Sequence, residues 1–227
     1  MENKKEMVRV MLSQTLNTFV HKHKDNDKIL EGVSNSFEGA MAYIRNMPRG
    51  HARIMKLYED MDRAIKDGYD LAKVEGAPPT SCKRGCANCC HLFVTTTNEE
   101  ADFIYKIVKD KNIPLSRKRL SYQARFKRPS DYFTKFGKRT RCVFLNDQND
   151  CMIYNYRPIS CRKYFVVSHP DQCQPDGSGE FQTVSAFLQL SPEVLASAHL
   201  NLDFIDSGEV EGKTNHSLAA RLLKRME

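Results

Sequence analysis

The sequence predicts a mainly α-helical fold, in which a helical N-terminal region packs on a small cysteine-rich segment containing a short β-hairpin. Three observations lead there. Apolar residues recur at helical spacing through the first 76 residues, strand-forming residues are confined to short runs, and seven of the eight cysteines crowd into two groups. Those groups are Cys82, Cys86, Cys89 and Cys90 within nine residues, and Cys142, Cys151 and Cys161 within twenty. Core packing seldom explains thiols this close together, whereas thiolate is the soft ligand that zinc and iron–sulfur clusters require. The segment is therefore expected to be metal-stapled.

At 227 residues, with 41% hydrophobic and 28% charged residues, the chain has the make-up of a soluble globular protein of one large or two small domains. No apolar run approaches the roughly 20 residues of a membrane span. Met1 to Glu6 lead into an amphipathic pattern, so no secretory signal is read and a cytoplasmic location is expected. The plainer alternative for eight cysteines is four disulfides. Such frameworks belong mainly to small secreted chains, and adjacent Cys89 and Cys90 would need distant partners or a strained vicinal bond. Metal ligation fits the spacing better.

Residues 1–76 read as three helices. Val8, Leu12, Leu16 and Phe19 form the first stripe; Leu30, Val33, Phe37, Met41 and Ile44 the second; Ile54, Leu57, Met61 and Ile65 the third. Asp25, Asn26 and Asp27 mark one break, and Pro48 with Gly50 the other. Residues 77–175 form the cysteine-cluster segment, entered through Pro78 and Pro79, which favour extended backbone. Within it, Leu92 to Thr96 are strand formers. Thr97 or Asn98, with Glu99 and Glu100, starts a helix through Val108. A basic helix runs from about Leu115 to Phe126 and ends at Pro129. Cys142–Leu145 and Cys151–Tyr154 flank the polar turn Asn146–Asp150, which gives the hairpin. Asn155 to Pro158 then turn into a short helix carrying Cys161, and Asp171 to Gly179 read as loop. Residues 176–227 are a helical tail: Ser191, Pro192 and Glu193 open one helix through Leu200, and another covers Ser217–Lys224. The three regions are expected to make one compact unit.

Two residues between cysteines let a tight loop offer both sulfurs to one metal, as Cys86 and Cys89 do. Gly85 permits a positive φ at that loop, and Lys83 and Arg84 bring positive charge that favours thiolate. Zinc sites and cubane clusters each commonly use four protein ligands. Seven cysteines exceed one such site and fall one short of two. Cys173 could supply the eighth, with His169 at ligand spacing from it and His91 beside Cys90 as further donors. His21, His23, His51, His199 and His216 have no partners at ligand spacing and read as surface or packing residues.

The compound pattern of Cys82, Cys86, Cys89 and Cys90, followed by Cys142-Val-Phe-Leu, Cys151-Met-Ile-Tyr and Tyr156-Arg-Pro-x-x-Cys161-Arg162, resembles the YkgJ-type cysteine-cluster family. That resemblance covers about residues 82–165 and implies a zinc- or iron-chelating domain, similar to one found in flagellin lysine methylases. By resemblance, Cys82, Cys86, Cys89, Cys90, Cys142, Cys151 and Cys161 are the chelating set. Three residues separate Cys82 from Cys86 here, where the family is often written with two.

Cys82-x3-Cys86-x2-Cys89 also equals the spacing of radical S-adenosylmethionine enzymes, an enzyme reading that would use an iron–sulfur cluster. It needs alternating strands and helices after the motif, and the sequence offers one strand, a helix and a hairpin. A third reading starts from charge. The formal net charge is +7, yet the segment from Arg117 to Arg141 holds ten basic residues against Asp131 alone. Arg117, Lys118, Arg119, Arg125, Lys127 and Arg128, interleaved with Tyr122, Phe126, Tyr132, Phe133 and Phe136, could contact the phosphates and bases of a nucleic acid. They could equally dock an acidic protein, or form a solvated face whose aromatics point inward and whose charge offsets an anionic metal site. The leading expectation is a metal-binding accessory protein holding an iron–sulfur cluster or zinc in a structural or redox role.

Overall fold

The computed structural model describes residues 13–83, 85–133, 135, 137, 139–173, 190–208 and 215–227. Nine α-helices occur among them: α1 (Gln14–Lys22), α2 (Asp27–Asn46), α3 (His51–Val74), α4 (Asn98–Asp110), α5 (Arg117–Gln123), α6 (Pro129–Phe133), α7 (Ile159–Arg162), α8 (Leu190–Ser207) and α9 (Leu218–Arg225). Short 3₁₀ turns cover Asn88–His91, Tyr154–Tyr156 and Pro170–Cys173. The mainly helical expectation holds. Val8, Leu12, Arg84, Phe136, Lys138 and residues 174–189 lie outside the described residues. No described helix is long and apolar enough to cross a membrane.

The helix starts follow from side chains that accept the otherwise unpaired first-turn N–H groups. Ser13, Asn26, Ser116 and Ser217 each accept from the residue three positions on. At α4, Thr97 accepts from the Glu100 N–H while the Glu100 side chain reaches back to the Thr97 N–H, a reciprocal capping box. α8 buries residues all round its circumference, including Val194, Ala198, Asn201, Leu202 and Phe204. A helix buried on all sides belongs at the centre, and α1, α2 and α3 pack against it.

One core joins every region of the chain. It combines Ile44 of α2, Ile54, Leu57, Tyr58 and Met61 of α3, Phe103 and Ile104 of α4, and Leu120 of α5 with Leu202 and Leu222. Val143, Phe144 and Ile153 from between the cysteines complete it, with Cys142 and Cys151 packed on its edge. A smaller cluster of Leu16, Val33 and Val194 seats α1.

Three expectations change. The hairpin arms meet in a single antiparallel bridge, Leu145 with Cys151, and no longer ladder forms among the described residues. The turn itself is well made: Asn146 Oδ1 accepts from the N–H groups of Gln148 and Asp150, at 3.0 and 2.8 Å. Pairing stops because the Cys142 N–H donates to the Cys90 carbonyl at 2.7 Å rather than across the arms, while Tyr154 begins a 3₁₀ turn. The run Leu92–Thr96 likewise makes only one bridge, Thr95 with Ser217, so it ties α9 to the chain without building a sheet. The basic helix is also shorter than expected, and Pro129 opens α6 rather than merely closing α5.

Candidate metal centre

All eight cysteines are free thiols. The first group lies on the loop entered through Ser81, whose N–H donates to the Val166 carbonyl at 2.9 Å. Gly85 takes a φ of +84°, the left-handed turn expected of it. Cys82 Sγ accepts from the Val166 N–H at 3.3 Å and its thiol faces the Tyr164 carbonyl at 3.9 Å. Cys89 and Cys90 sit in the 3₁₀ turn Asn88–His91. Asn88 Nδ2 donates to the Pro170 carbonyl at 2.7 Å and draws in the turn that carries Cys173. Cys173 is 5% exposed.

The second group approaches from the other side. Cys142 is fixed by its N–H bond to Cys90, and Cys151 by the bridge to Leu145. Cys161 rides on α7, whose start and end are both anchored. The Ile159 N–H donates to Glu100 at 2.8 Å. Buried Arg162 lies 4.1 Å from the Tyr58 ring centroid, pairs with Asp62, and donates to the carbonyls of Asn155 and Arg157.

The electrostatics of the thiols follow from burial and from one another. A hydrogen bond from Cys90 holds Cys89 down at about 7, aided by the Arg157 cation, and the same bond with burial drives Cys90 far up. Burial pushes Cys142 up to about 12, with Cys151 and Cys89 raising it further, and lifts Cys161 well above its ordinary value, with Cys142, Cys89 and Cys151 adding to it. Cys90 feels Cys142 and Cys161. Burial also raises Cys82 and lifts Cys173 to about 11, and the sulfurs acting on Cys173 are Cys89, Cys82 and Cys86. Cys89 is thus common to both groups. Among the described residues, no three His, Cys, Asp or Glu side chains already stand in a metal-holding arrangement. The thiols are gathered but not drawn in to ligand distance.

Of the other expected donors, His91 directs Nδ1 at the Gly137 carbonyl, 3.2 Å away, and burial lowers its pKa. His169 is 74% exposed and pairs with Asp171. Neither is directed at the sulfurs. Lys83 is exposed, and the cations that act on the thiols are Arg119, on Cys142, and Arg157, over the Tyr154 ring at 4.3 Å. The influence of Arg157 reaches Cys89, Cys151 and Cys161, and its buried Nε–H finds no acceptor among the described residues. An unsatisfied donor beside buried thiols fits a centre whose sulfurs become anionic. The sequence pointed to Arg157 only through its place in the compound motif.

The basic residues take up several tasks. Arg117 reaches the Met226 carbonyl, Arg119 the Cys142 carbonyl, both at 3.4 Å, and Arg128 pairs with Asp131. Arg125 lies over the Tyr122 ring, and Lys118 and Lys127 are exposed. The aromatics engage one another: Tyr122 packs on Phe126, Phe126 on Tyr132 and Tyr132 on Phe93, with centroids 5.4 to 5.7 Å apart. They line an inner seam rather than an open stacking surface.

Residues 81–183 match the family model CxxCxxCC, described as "Putative zinc- or iron-chelating domain". The match covers somewhat under half of the chain and takes in all eight cysteines, so this segment is similar to that cysteine-cluster family. No curated protein and no solved structure matches the chain.

Proposed function

We propose that this chain is an accessory protein whose cysteine segment binds metal through thiolates alone, as an iron–sulfur centre in the first instance and as zinc in the second. Cys82, Cys86, Cys89, Cys90, Cys142, Cys151 and Cys161 would hold it, joined by Cys173. The supporting observation is the convergence of thiols from two distant stretches on the 3₁₀ turn Asn88–His91, with both nearby histidines turned to other partners. Such a set suits Cys₄ zinc and iron–sulfur clusters alike, and the number of sulfurs favours the cluster. Bound metal would supply structural cross-linking or a site for one-electron transfer. The chain's own part is to bury the sulfurs, to hold Cys161 through α7, and to set the Arg157 cation among them. The S-adenosylmethionine-dependent reading lacks support, since only isolated bridges occur among the described residues after Cys89. Anaerobic purification followed by visible spectroscopy with iron and sulfide analysis tests the proposal. Brown protein with broad visible absorption and stoichiometric sulfide gives the cluster. Colourless protein with stoichiometric zinc gives the alternative, and protein that takes up neither removes the reading.

A further inference from the structure

Building on the thiolate reading above, we infer that the eight cysteines make two four-sulfur sites side by side: Cys82, Cys86, Cys89 and Cys173 in one, and Cys90, Cys142, Cys151 and Cys161 in the other.

The division follows from how the backbone is tied. Residues 164–173 run over the first cysteine loop and are fastened to it three times. Ser81 N–H bonds to Val166 O, Cys82 Sγ accepts from Val166 N–H, and Asn88 bonds to Pro170 O. These ties bring Cys173, three residues past Pro170 and 5% exposed, to the side of the turn that holds Cys82 and Cys86. On the other side, the Cys142 N–H is fixed to the Cys90 carbonyl, and the Leu145–Cys151 bridge and α7 deliver the remaining two sulfurs. The dividing pair is Cys89 and Cys90. Successive residues of a 3₁₀ turn are rotated by about 120°, and the hydrogen bond between these two side chains makes the pair the seam at which the sites abut.

A lone buried cysteine commonly acts as a small apolar residue. Here it supplies the sulfur that makes the total divisible by four. Each site that binds a divalent ion through four thiols releases their protons to solvent and leaves a doubly anionic complex. Arg119, on the Cys142 carbonyl, and Arg157, among the sulfurs, would face that charge.

Titration of reduced, metal-free full-length chain with Co²⁺, followed through the thiolate charge-transfer and tetrahedral d–d bands, decides the matter. The wild type is expected to saturate at two equivalents. Cys173→Ser and Cys86→Ser should each saturate at one, as should Cys161→Ser, and Cys173→Ser with Cys161→Ser should bind none tightly. For chain isolated with iron, the same variants should halve iron and sulfide. Cys86 lies on a loop away from the core, so its variant answers even where Cys173→Ser fails to fold. Wild-type saturation at one equivalent, or a Cys173→Ser chain that keeps two, overturns the two-site assignment and leaves the thiolate reading standing. No uptake by the wild type overturns both.

Discussion

The Glu100 carboxylate accepts a hydrogen bond from the Ile159 N–H at 2.8 Å, joining the first turn of α4 to the first turn of the helix that carries Cys161. Glu100 is 2% exposed. It also accepts from Thr96 Oγ1, the Thr97 N–H and the Tyr58 hydroxyl, at 3.1 to 3.2 Å. Burial pushes its carboxyl up, and these donors pull it back towards the ionised form. One side chain thus ties α3, α4 and α7 together behind the candidate metal centre. Glu100→Ala leaves buried donors unpaired and is expected to cost about 3 kcal/mol, each orphaned group contributing roughly 1 kcal/mol or more. A urea unfolding curve checks this, and an unchanged midpoint would count against the role given to Glu100.

Arg157 lies among Cys89, Cys151 and Cys161. Replacing it with Met keeps much of the stem but removes the cation and its donors. Metal should then be held roughly 10-fold less tightly, the lower end of what outer partners of metal ligands contribute. Competition against a chelator of known affinity measures the change. Equal retention by Arg157→Met and wild type would show that the cation has no bearing on the site.

His199 is fully enclosed, with Nε2 3.0 Å from Thr97 Oγ1, and burial lowers its pKa to about 4. The folded state therefore prefers the neutral ring. The unfolded chain takes up the proton first, so stability is complete above about 6.5 and falls as pH drops towards 4. The loss amounts to roughly 3 kcal/mol across that window. His199→Gln should flatten this part of the profile, and the difference between variant and wild type cancels pH effects that both share. A difference that does not vary with pH between 4 and 7 would contradict the assignment.

Arg125, Lys127 and Arg128 are exposed, and the Arg128–Asp131 pair lies at the surface. Exposed pairs of this kind contribute about 1 kcal/mol at most. Charge reversal at all three should leave metal content unchanged and shift unfolding by no more than about 1 kcal/mol. Loss of metal on reversal would mean that the basic face supports the centre directly.

Most helices were legible because two local signals agreed in each. Ile54, Leu57 and Met61 keep helical spacing and all are buried, while Ser217 marks the start of α9 by its cap. The capping box of Thr97 and Glu100 was legible as a helix start, but not as a joint between α4 and α7, because Ile159 is 59 residues away. Distance along the chain hid the hairpin's fate too. Asn146 to Asp150 encode a turn locally, yet the N–H that would extend the ladder goes to Cys90. The cysteine pattern announced a centre, but the tie between Asn88 and Pro170 that brings in Cys173 has no periodic or compositional signature. Interleaved aromatics in the basic segment fitted either a stacking surface or inward packing, and the ring contacts among Tyr122, Phe126 and Tyr132 accord with the second.

The most direct measurement is elemental analysis of the full-length chain isolated anaerobically from cells and freed of loosely held ions. Zinc or iron in whole-number ratio to protein, halved when Cys142, Cys151 and Cys161 are replaced together by serine, is the predicted result. A folded wild-type chain carrying neither metal, with all eight thiols open to alkylation, would contradict it.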